Sequence, residues 1–245
     1  MFIPFSPTLR RKRYATGGKM TSLTDLIASH KQTFSEHPFL SYVRDNRIPI
    51  QRRLAFLPAM SHFVMSFSDL NKYALPFPHP TDALEQAVNT HAQEDSHHWP
   101  WFLHDLQTLS LNAPTTLVDN LRFLWSDQLQ ASRRLVYHLF ALTANRPAKQ
   151  RIVVIEMIES VGNAVFTTVN QVVNEARIPL KYCGDLHLSR ETGHAIGSHA
   201  ELLDTLTFSQ EEEREARAAV ESGFQAFSSF FSELADYANL PHPAR

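Results

Sequence analysis

A helical pattern of apolar residues runs from Ser22 almost to the end of the chain, and it constrains the fold more than any other feature. The 245 residues include only seven glycines, which leaves no glycine-rich loop that could cradle a phosphate. Alternating strand patterns and Asn-Gly hairpin signals do not occur. The sequence therefore predicts an all-α fold, a single-domain bundle of seven helices.

Prolines and capping residues set the expected helix boundaries. Pro49 and Pro114 stand at helix starts, and Ser209 with Glu212 forms a capping box. The predicted helices cover residues 22–35, 49–73, 81–109, 115–144, 148–176, 186–206 and 209–238. With 43% hydrophobic residues, we expect residues 22–245 to form one helical domain around one core.

The first 21 residues have a different composition. They contain the basic cluster Arg10–Arg13 and no acidic residue, and the apolar run Phe2–Phe5 is far too short for a signal peptide. We interpret residues 1–21 as a disordered leader. An organellar address and a phosphate-binding tail are the alternatives.

Charge and cysteine content exclude several classes of function. The net charge is -2 and the isoelectric point about 6.7, so neither nucleic acid nor an anionic membrane is an expected partner. Cys183 is the only cysteine, which excludes an internal disulfide and a cysteine-rich metal site. No uncharged run approaches the length of a membrane span. These features predict a soluble cytoplasmic protein that acts on a small molecule.

His187, Glu191 and His194 form an H-x-x-x-E-x-x-H motif. Steps of four and then three residues place all three side chains on one face of a helix. Imidazole and carboxylate ligands together suit iron, manganese or zinc. The motif therefore indicates a metal site, although a solvated face that carries these residues by chance remains the alternative.

The predicted helix 81–109 carries further ligand-type residues. His91, Glu94 or Asp95, and His98 fall on a stripe that should face the core. Buried carboxylates need partners such as each other, an arginine or a cation. We interpret these residues as metal ligands, and the alternative is that the two histidines are ordinary hydrogen-bonded core residues.

A kink is expected beside this stripe. Pro100 lacks the amide that would bond to the carbonyl of Ser96, so the helix should bend there.

The predicted helix 148–176 is apolar nearly all round, which marks it as the centre of the bundle. Glu156 and Glu159 interrupt this apolar surface, and we favour Glu159 as the metal ligand over Glu156. Either carboxylate could instead pair with Arg151. Gly162 lies on the stripe of Glu159 and would allow another helix or a ligand to come close.

Four features together resemble the heme-oxygenase-like diiron oxidases and oxygenases: the run His37-Pro38-Phe39-Leu40, the acidic and histidine-bearing third helix, Glu159-Ser160, and the H-x-x-x-E-x-x-H motif. The resemblance covers most of the chain beyond residue 22. It implies two bound irons (Fe2+/Fe3+), dioxygen as a co-substrate, and oxidation of a small metabolite of the amino-acid or fatty-acid type. The implied metal ligands are Glu94, His98, Glu159, His187, Glu191 and His194.

The early acidic ligand departs from the family pattern. The family commonly places it seven residues before the histidine, where this chain has His91. His91 or Asp95 could therefore replace Glu94.

Aromatic residues near the implied ligands suggest a substrate pocket. Trp99, Phe166 and Tyr182 would form an apolar chamber, although core packing would explain each of them equally. A homodimer is a further expectation.

Two rival functions remain open. The same bundle resembles the metal-independent TenA-like hydrolases, in which a cysteine attacks the substrate, and Cys183 lies four residues before His187. The second rival is a non-enzymatic, helical metal-binding protein. True heme oxygenase activity is not expected, because the glycine-rich distal helix of that family is missing.

Overall fold

The computed structural model describes residues 21–193 and 202–239, and it confirms the all-α fold class for this part of the chain. The expected leader lies almost wholly outside the described residues. The α-helices are α1 (Leu23–Phe34), α2 (Pro38–Arg44), α3 (Ile50–Arg53), α4 (Ser61–Asp69), α5 (Ala83–Asp95), α6 (Trp99–Thr108), α7 (Leu117–Leu124), α8 (Gln130–Thr143), α9 (Ala148–Glu175), α10 (Asp185–Gly193) and α11 (Gln210–Asn239).

Helix α9 forms the centre of the bundle, as the sequence predicted. It contacts α1, α2, α5, α8, α10 and α11, and most of its residues are buried. By length and composition this helix could cross a membrane, but 72% of its most apolar window is buried inside the protein. Such burial is typical of the core helix of a bundle.

The long helices agree best with the predicted boundaries. Helices α9 and α11 lie within one residue of prediction at each end, and the capping box is present, since the backbone N–H of Glu212 donates to Ser209 Oγ at 3.3 Å. The prediction of a continuous helix over 49–73 was wrong. This segment contains α3, a 3-10 turn at Leu57–Met60, α4 and a π-helical turn at Leu70–Ala74. Pro58 lies in the 3-10 turn, where its missing amide interrupts the hydrogen-bond ladder.

Two other predicted helices, 115–144 and 81–109, are also divided. Residues 115–144 contain α7, a 3-10 turn at Asp127–Leu129 and α8, and the short helix α2 was not predicted. Helix α10 begins the predicted segment 186–206, a helical turn at 202–205 ends it, and residues 194–201 lie outside the described part. Residues 81–109 form α5 and α6, which are separated by residues 96–98.

The break between α5 and α6 lies where Pro100 predicted a kink. The carbonyl of Ser96, which would lose its helical partner, accepts a hydrogen bond from Ser68 Oγ of α4 at 2.7 Å. Both serines are buried. A side chain of a neighbouring helix thus replaces the amide that proline lacks, and the break is stabilised.

We expect Ser68→Ala to destabilise the fold by about 1–3 kcal/mol, because the buried carbonyl of Ser96 would lose its partner. Ser229→Ala is the matched control, since the Ser229 hydroxyl bonds to the carbonyl of Gln225 on the exposed side of α11. It should change stability by less than about 0.5 kcal/mol. Urea denaturation of both variants measures the difference, and equal midpoints would contradict the role assigned to Ser68.

Candidate metal centre

Three buried side chains from two helices converge on one point. His91 and Asp95 are one turn apart on α5, and Glu159 approaches them from α9. His91 Nε2 lies 3.2 Å from Asp95 Oδ2 and 3.7 Å from Glu159 Oε1. One candidate ligand atom from each residue lies within 4.8 Å of the other two. One imidazole and two carboxylates at this separation can surround a single transition metal ion.

Two further histidines adjoin this group. His187 Nε2 of α10 lies 3.1 Å from His98 Nδ1, and His98 Nδ1 lies 3.9 Å from Asp95 Oδ1. Two nitrogens bound to one metal at about 2.1 Å and at right angles would be about 3.0 Å apart. The spacing of the two imidazoles therefore suits shared ligation as well as a direct hydrogen bond.

Aromatic rings fix the orientation of both imidazoles. Trp101 stacks on His98 with ring centroids 4.6 Å apart, and Tyr182 stacks on His187 at 4.8 Å. Phe166 packs edge-on against His187 at 4.3 Å. Packing of this kind restricts ring rotation, so the nitrogens are held in place for a ligand.

A carboxylate that sequence reasoning missed holds the turn before α10. Asp105 of α6 is fully buried, and it accepts hydrogen bonds from the backbone N–H groups of Lys181 at 2.7 Å and Cys183 at 2.8 Å. The turn carries Tyr182 and leads directly to His187. The sequence signal for Asp105 is its position seven residues after His98, which continues the core-facing stripe.

The first residue of α10 is attached to α9 in a similar way. Asp185 Oδ1 accepts from the side-chain amides of Asn170 and Asn174, each at 2.9 Å. These hydrogen bonds lower the pKa of Asp185, because they favour its charged form. Two carboxylates therefore fix the start of the helix that carries His187.

Three buried carboxyl side chains, Asp95, Glu156 and Glu159, lie in and beside the site. Among the described residues, Asp95 Oδ1 and Glu156 Oε2 are buried without a hydrogen-bond partner. Burial raises the pKa of Glu156, and the charges of Lys31 and His91 oppose this effect. Glu156 is not part of the three-residue group. A carboxylate oxygen buried without a donor is costly, and a metal cation would offset that cost. The donor set therefore fits a metal ion.

An apolar chamber of about 60 Å³ opens beside this group. Asp95, His98, Glu159 and His187 form its polar end, with Trp99, Phe166 and Tyr182 next to them. The other wall residues are mainly apolar side chains of α4, α9 and α11, among them Phe63, Ile158 and Phe231. The three predicted pocket aromatics thus share one chamber.

Other predicted ligands are placed differently. Glu94 is exposed on α5 and lies outside the group, and Asp95 occupies the position that the resemblance gave to Glu94. The reason is helical phase, since Asp95 is four residues from His91 and shares its face. The side chain of Glu191 and all of His194 lie outside the described residues, so the complete H-x-x-x-E-x-x-H set stays a prediction.

Solved structures share this architecture. A domain of unknown function with a heme oxygenase-like fold from Shewanella denitrificans OS217 has a TM-score of 0.60 and 15% identity, covering 89% of this chain and 93% of that chain. A TenA homologue from P. horikoshii OT3 has a TM-score of 0.61 and 13% identity, covering 89% of this chain and 100% of that chain.

A second TenA homologue, from Pseudomonas syringae pv. tomato DC3000, has a TM-score of 0.60 and 14% identity, covering 87% of this chain and 91% of that chain. No protein-family model and no curated protein matches the sequence. The chain therefore has a heme oxygenase-like fold, and at these identities the similarity concerns the fold alone.

The raised pKa of Glu156 predicts a pH dependence of stability in the metal-free protein. Between the unfolded pKa and the raised folded pKa, the folded state binds more protons than the unfolded state, so stability falls as pH rises. Glu156→Gln should remove this loss and be more stable than wild type at the upper end of that range. Thermal denaturation between pH 4 and pH 8 tests this, and identical pH profiles of the two proteins would contradict it.

Proposed function

We propose that this protein is a non-heme diiron enzyme that uses dioxygen to oxidise a small organic molecule. The observation that carries the proposal is the buried group His91, Asp95 and Glu159 beside the His98–His187 pair, at the polar end of an apolar chamber. These five side chains offer three imidazoles and two carboxylates. Such a donor set suits iron and exceeds the needs of one ion that keeps an open position.

The carboxylates and the imidazoles would have different roles in metal binding. Asp95 and Glu159 would supply negative charge that balances the metal ions, and His98 and His187 would supply neutral nitrogen ligands. Asp105 would hold His187 in register through the turn before α10. When bound, the two irons would supply redox chemistry with dioxygen.

The chamber would hold the substrate next to the metal ligands. Its walls are mainly aromatic and aliphatic, so they would exclude water from the reacting groups. Ser68 is a neutral polar residue of the wall, but its hydroxyl is already donated to the carbonyl of Ser96. Substrate orientation would therefore depend on apolar contacts and on the polar end of the chamber.

The fold similarity to TenA homologues supports a second candidate, a hydrolase with Cys183 as its nucleophile. The surroundings of this thiol suit that role poorly. Burial, together with the negative charge of Asp105, raises the pKa of Cys183 well above its usual value, so the reactive thiolate is disfavoured. Cys183 is also absent from the described chamber wall. The diiron proposal uses the buried carboxylates, which the hydrolase leaves unexplained.

Reconstitution with ferrous ion under anaerobic conditions should give about two irons per chain, because the ligands come from α5, α9 and α10 around a shared centre. Asp95→Asn and His187→Ala should each lower the iron content to about one per chain or less, with helicity retained. Elemental analysis and circular dichroism provide the measurements.

Glu94→Gln is the matched control for Asp95→Asn, since it removes a carboxylate from the adjacent, exposed position. It should retain the wild-type iron content. No bound iron in the wild-type protein would refute the diiron proposal, and iron loss in Glu94→Gln alone would move the ligand assignment from Asp95 back to Glu94.

Cys183→Ala should retain most of the oxygen-consuming activity and the full iron content, because the proposed chemistry does not use the thiol. A nucleophilic cysteine makes the opposite prediction, since its loss would remove the covalent intermediate. Oxygen consumption and iron must be measured on the same sample. Near-total loss of turnover with unchanged iron would favour the hydrolase.

A further inference from the structure

We infer that Gly162 keeps the chamber open for a compact apolar group of the ligand and thereby sets the size of molecule that the protein accepts. This inference rests on the proposed function, because it concerns the substrate of the same site. It narrows the substrate to a molecule with a small alkyl or ring-shaped body next to its reacting end.

The position of Gly162 makes a glycine unfavourable for the helix itself. It lies near the middle of α9, which has 28 residues. Glycine inside a helix lowers the folding equilibrium about fourfold relative to alanine, since the unfolded chain has more conformational freedom. Another requirement must therefore favour the absence of a side chain.

At two other glycines, close packing explains why a side chain is absent. A Cβ atom at Gly223 would lie 2.4 Å from Cε of Met157, and one at Gly184 would lie 1.8 Å from the carbonyl oxygen of Leu180. Both distances are far below van der Waals contact, so a side chain would force these neighbours to move.

Packing gives no such reason at Gly162. Apart from the helix's own nearby backbone, a Cβ atom there would meet only the ring of Phe166 among the described residues, at 3.8 Å, which is an ordinary contact. The sequence left open whether this glycine admits a helix or a ligand. Since no helix in the described part of the chain fills the space and Gly162 lines the chamber, the structure favours a ligand.

The chamber also indicates the chemistry of that ligand. Its volume of about 60 Å³ leaves room for only a small part of a ligand. No lysine or arginine belongs to the described part of its wall. Away from the metal-ligand end, Gly162 has the apolar neighbours Ile158, Val161 and Phe166. A compact uncharged group fits this environment.

A series of straight-chain alcohols from methanol to hexanol tests the inference on protein loaded with redox-silent zinc and on metal-free protein. Dissociation constants would be measured by ligand-observed NMR titration. In wild type, affinity should rise about fourfold for each added methylene and should stop rising at the chain length that fills the chamber. The Gly162→Ala variant should stop about one methylene earlier, and Gly162→Leu should show no rise.

Thr167→Leu is the matched control, because it adds bulk to the exposed side of the same helix. It should reproduce the wild-type series. Gly162→Ala distinguishes a smaller chamber from misfolding. Alanine should stabilise α9, yet the rise of affinity with chain length should still end earlier. A wild-type series in Gly162→Leu, or an equal loss in Thr167→Leu, would overturn the inference.

The metal content separates this inference from the proposed function. A protein that binds neither zinc nor iron but shows the alcohol series and its Gly162 dependence would support the chamber and refute the diiron proposal. Normal iron loading without any chain-length dependence would refute the chamber and leave the metal site intact.

Discussion

The cost of burying carboxylates in an apolar interior governs the structure around α5 and α9. Asp95 and Glu159 are 4% and 7% exposed, and they lie next to side chains that would otherwise form an ordinary hydrophobic core. A charged carboxylate in such a place needs hydrogen-bond donors or a cation. His91 lies between the two carboxylates, but Asp95 Oδ1 has no hydrogen-bond donor within the described residues. Metal binding is the simplest way to balance this arrangement, because a single cation can satisfy several oxygens at once.

The same cost of burying a carboxylate explains why Asp105 is hydrogen-bonded through both of its oxygens. Asp105 is fully buried, yet both of its oxygens accept backbone N–H groups of the turn before α10. Such contacts hold the backbone that carries Tyr182 and His187, and they do so from α6, the helix that follows His98. His98 precedes α6 and His187 follows the turn, and Asp105 links α6 to that turn. Preorganisation of this kind lowers the entropy that ligands lose when they close around an ion.

Sequence periodicity predicted the parts of the fold in which a single pattern dominates. The largely apolar segment 148–176 and the capped segment 209–238 were predicted as long helices, and the structure confirms both. Pro58 marks the interruption within 49–73 in the sequence itself, whereas no proline lies inside 115–144 to mark the break there. Helical phase explains the uncertainty between Glu94 and Asp95. One residue rotates a side chain by about 100°, and only packing against α9 decides which of two adjacent carboxylates turns inward.

The break between α5 and α6 lies beside both the candidate metal centre and the chamber. Pro100 removes one backbone donor, and Ser68 replaces it from α4. Ser68 is also part of the chamber wall, so the contact that holds the break lies beside the space for the ligand. His98 is the last residue of the break, and its ring reaches His187. Side chains from α5, from the break itself and from α10 thus meet beside this local interruption of the helix.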